Sequence, residues 1–517
     1  MKIIQNFKNI IFVIIFLVAN TSNLLAQKSN LVRYEVGFKV LNQIDYSRNF
    51  KSKHGRNIQI AIWYPSSVSQ SSKKISYSDY LKLYLQEEGK VELSNKEVED
   101  NIEEWIESFR KIEKEGSTFN WNSFIESELE VFNDTKLAEG EFPLLVYGAG
   151  SRGESFENSI LFEYLASQGY IVASVPSIGI NGHGMNIDPM GLETQARDME
   201  FAIQKIFESK SFNIDRIATG GWSWGGLAAM LVQVRNEYVD AVISMDGSIA
   251  THINKIESFP YYSRSKLTTP YLFLSTQEST FERTELFFNS LKYSDSYHIA
   301  FNYIDHSDFT SYGYIARKNL GSSLNKIATY DAFKSYVLAF LNATLKEENT
   351  SKNFLTNNPI KNGYDSDLLS INSKKGFPKP PSESEFFAII RDEGVEKGWD
   401  IYKEVKSNDG SYKIFEAYNL TVVAFQLVRD SVRSDESIRI MDMVLEEYPT
   451  SYSSYALKGR IHEIRGEIVE AYSNFNIAFG MALLDGQTSD QEKELVFYND
   501  IMWYKGKMDS LKEKINN

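Results

Sequence analysis

Six residues, Gly221-Trp222-Ser223-Trp224-Gly225-Gly226, carry the sharpest chemical signal in the chain. A short apolar run, Ile217-Ala218-Thr219, precedes them, and the helix-forming Leu227-Ala-Ala-Met-Leu-Val follows. A strand that turns abruptly into a helix strains its central residue. The crowding admits only glycine, or something nearly as small, two positions to either side. Such a turn projects the Ser223 hydroxyl beside a helix N-terminus, which stabilises a developing oxyanion. The chemistry indicated is nucleophilic attack by a serine.

A serine hydroxyl is a weak nucleophile until a base accepts its proton, so an imidazole is expected downstream. The chain has six histidines, at positions 54, 183, 252, 298, 306 and 462. His54 lies upstream of the central strands, His462 belongs to the C-terminal tail, and His298 sits inside the run Tyr297–Ile304 as a structural residue. His183 precedes the serine in a glycine-containing segment, and His252 follows it closely enough to line its pocket. His306 stands two residues past the last expected strand, in Ile304-Asp-His-Ser-Asp-Phe309, and completes the chain order serine, acid, histidine. It is the expected base.

The third group orients the imidazole and stabilises its charged form. Asp246 ends the run Val239–Met245 directly after the nucleophile, whereas Glu278 lies four residues beyond the next run, Tyr271–Leu274, in a polar loop. An aspartate at a strand's C-terminal edge is the better placed. Asp246 is therefore the expected acid and Glu278 the alternative, with Asp305 and Asp308 as loop residues.

The oxyanion needs two backbone donors, one from Trp224 and one from a loop after an earlier strand. The run Leu144–Tyr147 leads into Gly148-Ala-Gly-Ser-Arg-Gly153, which nominates the Ser151 amide. This loop is also a literal G-x-G-x-x-G. A dinucleotide site would need an acid about 20 residues further on, at the end of the next strand. That strand ends Ala173-Ser-Val-Pro-Ser-Ile178, without a carboxylate, so no cofactor is expected. The chain has no cysteine, which excludes disulfides, thiolate metal sites and a cysteine nucleophile; no metal is expected.

Elements that must position these groups are visible around them. Ile58 to Tyr64 begins by alternating, as a strand does, and Pro65-Ser66-Ser67 ends it. From Pro143 onward, short apolar runs alternate with helical segments such as Ser159–Ser167, Ala196–Glu208, Leu227–Arg235 and Thr284–Leu291. That alternation predicts a mostly parallel sheet with helices on both faces. Residues 85–140 are a charged, glycine-poor insertion in which Ile102, Trp105, Ile106, Phe109 and Ile112 mark one face of an amphipathic helix. It either roofs the pocket as a lid or packs on the flank of the sheet.

Residues 346–384, rich in Asn, Ser, Lys and Pro, read as a linker. Beyond it, residues 385–517 are helical in period and form a smaller all-α domain. Tyr452 begins a unit 34 residues after Tyr418, the tetratricopeptide length. Tyr455, Gly459, Gly466, Ala471, Phe475 and Ala478 resemble that repeat. The preceding unit is degenerate, with Phe425 at a glycine position and Ser437 and Met441 in tolerable places. Such a tail is a candidate binder of a protein partner.

At the N-terminus, Lys2 and Lys8 precede the apolar run Ile10–Ala19, and Ala26 precedes Gln27. Ten helical residues rise about 15 Å, half of a ~30 Å hydrocarbon core. Residues 1–26 therefore read as a secretory signal, with export to the periplasm or the extracellular space and no stable membrane span in what remains. Lys+Arg 55 against Asp+Glu 69 gives a net charge of −14, which disfavours sequence-independent nucleic-acid binding. Hydrophobic residues at 42% and a length of 517 are enough for two or three cored domains.

With those residues in place, the stretch from Val32 to Leu345 resembles the α/β-hydrolase family. It is most similar to the bacterial branch related to platelet-activating-factor acetylhydrolases and dienelactone hydrolases. Tyr34-Glu-Val-Gly37, Asp45-Tyr-Ser-Arg48 and Ile62-Trp-Tyr-Pro65 look like that branch's N-terminal pattern. The resemblance implies a catalytic domain over 27–345, with Ser223, His306 and Asp246 as nucleophile, base and acid, and the loop serine in place of an oxyanion residue. Trp222 stands where the branch carries a histidine, and Ala149-Gly150 where it carries a His-Gly pair. The expected activity is hydrolysis of small or lipid-like carboxylic esters by an exported serine hydrolase. The alternatives are amide cleavage by the same triad, or a scaffold acting through the helical tail.

Overall fold

Runs such as Leu144-Leu-Val-Tyr147 and Ile171-Val-Ala-Ser-Val175 lack charge throughout, the pattern of strands buried on both faces. The computed structural model describes residues 33–516 apart from 52, 112–118, 261, 322, 431 and 486–490, and in it these runs form the middle of one sheet. The expected signal segment, 1–26, and Ile112 lie outside the described residues. The strands are β1 (Glu35–Phe50), β2 (Lys53–Ser67), β3 (Lys74–Ser76), β4 (Glu128–Asn133), β5 (Lys136–Leu137), β6 (Leu144–Gly148), β7 (Ile171–Val175), β8 (Ile217–Trp222), β9 (Ala241–Met245), β10 (Tyr271–Thr276), β11 (Ser296–Phe301) and β12 (Leu369–Lys374).

Their order is β12-β11-β10-β9-β8-β6-β7-β2-β1-β4-β3, with β5 paired to β2. From β7 to β11 every neighbouring pair is parallel. β2 joins β7 antiparallel, β1 joins β2 antiparallel, and β12 closes the far edge antiparallel to β11. This is the expected α/β fold. Its parallel strands end along one edge, where connecting loops can converge on a site.

The helices of this unit are α1 (Tyr77–Gln86), α2 (Asn95–Arg110), α3 (Trp121–Glu126), α4 (Ser159–Ser167), α5 (Pro189–Ser209), α6 (Trp224–Arg235), α7 (Ile249–Glu257), α8 (Phe281–Ser290), α9 (Ser311–Leu320), α10 (Leu324–Leu345) and α11 (Asn349–Thr356). Side chains alternate across a strand, so each strand feeds two cores. Leu145, Tyr147, Val172 and Ile243 pack with Phe162 of α4 and Phe333 and Val337 of α10. Leu144, Val146, Ile171 and Val242 pack with Met199 of α5, Leu227 and Leu231 of α6 and Phe288 of α8.

Two stretches depart from the sequence reading. The insertion is not wholly helical: β4 and β5 lie within it, and β4 pairs parallel with β1. Ile106 and Phe109 of α2 are buried in the same core as the sheet, and the Phe109 ring sits 4.9 Å from that of Trp121. Nor are residues 346–376 linker. They supply α11 and β12, and Leu355, Leu368 and Leu369 bury against the first core. The reason is pairing: β11 would otherwise be an exposed edge, and a polar, alternating strand such as Leu369-Ser-Ile-Asn-Ser-Lys374 caps it with one face in solvent. The first compact unit therefore ends at Gly376 rather than at 345.

The second unit, from Phe377, is all-α: α12 (Glu383–Glu393), α13 (Val395–Asn408), α14 (Ala417–Leu427), α15 (Ser434–Glu447), α16 (Tyr452–Ile464), α17 (Ile468–Asp485) and α18 (Gln491–Asn516). Gly459 packs against the next helix, where an added Cβ would lie 3.2 Å from the Ala471 carbonyl oxygen. Gly466 turns the chain between α16 and α17 at φ 78°. Phe386, Trp399, Leu420 and Val444 form one core of this unit, and Ala471, Phe475 and Ala478 belong to another. No helix among the described residues is long and apolar enough to cross a membrane.

Candidate active site

β8 stops at Trp222 and α6 starts at Trp224, which leaves Ser223 alone on the turn at φ 53°, ψ −119°. A non-glycine residue there is strained and persists only when its surroundings over-determine it. They do. A Cβ on Gly225 would lie 1.9 Å from the Gly148 carbonyl oxygen, and one on Gly221 would lie 2.4 Å from the Gly225 carbonyl carbon. The Ser223 amide donates to the Met245 carbonyl at 3.0 Å, and its own carbonyl accepts from Ser248 at 2.9 Å. The turn is fastened to the end of β9 on one side and pressed against the end of β6 on the other.

His306 opens the one-turn helix that follows β11. Its Nε2 lies 2.9 Å from Ser223 Oγ, and its Nδ1 lies 2.5 Å from Asp246 Oδ2. A carboxylate accepts, so Nδ1 carries the proton and Nε2 is left as the acceptor for the serine hydroxyl. Asp246 follows β9 at φ 42°, and its amide donates to the Leu274 carbonyl at 2.7 Å. Its second oxygen accepts from the Thr280 hydroxyl and from the Thr276 amide at 3.3 Å. The Asp246 side chain is fully buried while that of His306 is 48% exposed. The carboxylate is fixed and dry, and the imidazole meets solvent.

Glu278 is exposed and is not brought to His306. Asp305 and Asp308 brace the turn instead: Asp308 pairs with Arg317 and Lys326, and accepts from the Asp305 amide at 2.9 Å. The other histidines are placed elsewhere. His298 is buried between Ser275 and Glu285, His462 pairs with Glu467 in the tail, and the His183 ring lies 4.6 Å from that of Tyr84. His252 sits at a kink in α7, its ring 6.0 Å from that of Trp224.

The loop after β6 lies beside the turn. The Ala149 amide is taken by the Val175 carbonyl at 3.2 Å, and the Gly150 amide by Glu157 Oε1 at 2.9 Å. The Ser151 amide makes no hydrogen bond among the described residues, and neither does that of Trp224, which as the first helical N–H has no intrahelical acceptor. These are the two amides nominated from the sequence.

Glu157, Thr276 and Thr280 are groups that sequence reasoning missed, as is the bond from the Trp222 indole to the His306 carbonyl at 2.8 Å. Burial pushes the Glu157 carboxyl up to about 8, so it is mostly neutral at pH 7 and puts little charge under the loop. It also accepts from the Tyr147 hydroxyl at 2.7 Å. Its neighbour Asn158 donates to the Phe309 carbonyl at 2.8 Å, which ties this loop to the turn carrying His306. The hydroxyl-rich Thr276-Gln-Glu-Ser-Thr280 was the available signal for the groups that hold Asp246. A groove of about 910 Å³ lined by Arg48, Glu200, Arg235 and Tyr238 includes no member of this cluster.

No family model and no curated protein matches the chain. Among solved structures it is similar to a ferulic acid esterase from Streptomyces cinnamoneus, at 20% identity and a TM-score of 0.45, over 61% of this chain and 92% of that one.

Proposed function

We propose that the chain is a serine hydrolase that cleaves carboxylic esters through an acyl-enzyme. One observation carries the reading: Ser223, strained at the strand-to-helix turn, is in line with His306 at 2.9 Å and, through it, with the buried Asp246 at 2.5 Å. Ser223 Oγ attacks the ester carbonyl as His306 Nε2 takes its proton. The tetrahedral oxyanion is held by the Trp224 and Ser151 amides, with the α6 N-terminus behind the first of them. Collapse expels the alcohol, which takes the proton from Nε2. Water then attacks the acyl carbonyl, giving its proton to His306, and collapse releases the acid as Ser223 Oγ takes that proton back from Nε2. Throughout, Asp246 keeps the imidazole in one tautomer and stabilises its charged form.

The test is hydrolysis of p-nitrophenyl acetate, butyrate and octanoate by residues 27–517, with Ser223→Ala beside it. The expected result is turnover by the wild type and a loss of roughly 10³- to 10⁶-fold in the variant. Turnover of amide substrates but not esters would move the reading to a peptidase-like hydrolase. Absence of both would remove it.

The proposal includes export after loss of residues 1–26, supported by the basic, apolar and small residues in order there. It also includes a protein partner for the tail, whose helical hairpins α14–α15 and α16–α17 span the two tetratricopeptide-like units. N-terminal sequencing of the mature protein tests the first. Capture by the full mature chain, compared with the chain ending at 376, tests the second.

A further inference from the structure

We propose that Trp222 is a positioning residue, which holds the His306 imidazole in register with both Ser223 and Asp246. The inference rests on the serine-hydrolase reading above. His306 needs such a hold. Its side chain is 48% exposed, it rides on a short turn after β11, and its two nitrogens meet partners at the ends of two different strands, β8 and β9. Both bonds are made together only in one orientation of the ring. A half-exposed side chain on a turn has other staggered wells open to it, and those break the relay.

Trp222 closes them from two directions. Its indole Nε1–H donates to the His306 carbonyl oxygen at 2.8 Å, which fixes the backbone from which the imidazole hangs. Its ring lies 4.9 Å from the imidazole, centroid to centroid, with the planes at 34°, and so covers one face. The indole is itself immobilised. Its six-membered ring fills the space beside Gly150, where an added Cβ would lie 2.3 Å from Cε3 and 2.6 Å from Cζ3. Gly150 in turn is anchored through its amide to buried Glu157. Trp222 is also the residue before the nucleophile, so one side chain joins three segments: the strained turn, the loop after β6 and the turn after β11. Asp246 stabilises the charge on the base; Trp222 fixes where the base is.

Misplacing a reacting group by about 1 Å can cost on the order of 100-fold in rate. Trp222→Ala is therefore expected to lower kcat by about 100-fold while KM stays within about threefold. Trp222→Phe keeps a ring face while losing the N–H bond and part of the packing beside Gly150, so it should return to within about tenfold of wild type. Trp222→Leu, which keeps bulk without ring or donor, should behave as the alanine variant does. The second readout needs no substrate. It is the low-field proton resonance of the His306 Nδ1–H···Asp246 hydrogen bond in the mature chain, assigned by its loss in His306→Gln. It should survive in Trp222→Phe and broaden away by exchange with water in Trp222→Ala and Trp222→Leu. Wild-type kcat with an unchanged resonance in the alanine or leucine variant would overturn the positioning role. If the wild type hydrolyses no ester or amide, the hydrolase reading falls on its own. The resonance then still decides Trp222: persistence in the alanine variant overturns the role, and loss supports it.

Discussion

Ser223–His306–Asp246 and Ser275–His298–Glu285 are built from the same three kinds of group at nearly the same spacing. The serine and acid distances to the imidazole are 2.9 and 2.5 Å in the first, and 2.8 and 2.5 Å in the second. What separates them is backbone and access. Ser275 lies inside β10 and His298 inside β11, both buried, with Phe281 stacked 5.1 Å over the imidazole. Glu285 of α8 also accepts from Asn372 of β12 at 3.0 Å, so the second relay staples a helix to three strands. Ser223 instead leaves its strand at a turn, next to the Trp224 amide, which makes no hydrogen bond among the described residues. A hydrogen-bonded serine, histidine and carboxylate do not by themselves make a site. Oxyanion donors and a path for the substrate are also required.

The largest effect expected is in the two serines. Ser223→Ala should abolish ester turnover, by roughly 10³- to 10⁶-fold, with the melting temperature close to wild type. Ser275→Ala should leave kcat within about twofold and instead cost on the order of 1 kcal/mol of stability, the price of one buried hydrogen bond. Activity and thermal melts on the same two preparations check both. Equal activity loss in the two variants would erase the contrast.

Next come the acids. Asp246→Asn keeps the shape but removes the negative acceptor that fixes the imidazole tautomer, and a loss of about 10⁴-fold in kcat is expected. Glu285→Gln should spare kcat and lower stability, and Glu278→Gln should change neither. Steady-state kinetics on the three variants rank them. A Glu278 effect as large as that of Asp246 would restore the alternative acid and break the reading of the first relay.

Much of this was legible in sequence because the informative features are local. Gly221 and Gly225 flanking Ser223 between an apolar run and a helical one encode the turn, and Asp246 and His306 each sit at the end of such a run. The parallel sheet follows from the same runs. What was not legible depends on distant pairing. β4 is recognisable only once β1 lies beside it, and β12 only once β11 offers an open edge. Nothing local marks Glu157 as buried under the Gly150 loop, and the Trp222 bond to His306 spans 84 positions. The second relay shows the converse. His298, expected as a structural residue within an apolar strand, is enclosed there together with its partners.

The smallest expected effect concerns pH, and it separates the buried groups by sign. Burial lowers His298 below its ordinary 6.5, against the pull of Glu285. The folded chain then binds fewer protons than the unfolded one, so this contribution is complete above about pH 6.5 and is lost as pH falls through the folded value. Glu157 runs the other way. Raised from 4.5 to about 8 by burial, it contributes fully below about pH 4.5 and loses that contribution as pH rises to about 8. Melting temperatures of wild type, His298→Gln and Glu157→Gln from pH 5 to pH 8.5 read both terms. Relative to wild type, the histidine variant should lose about 2 °C less on acidification, and the glutamate variant about 2 °C less on alkalinisation. A His298 variant that lost as much on acidification as the wild type would mean that burial does not hold this imidazole neutral, and would remove the difference in enclosure on which the separate roles of the two relays rest.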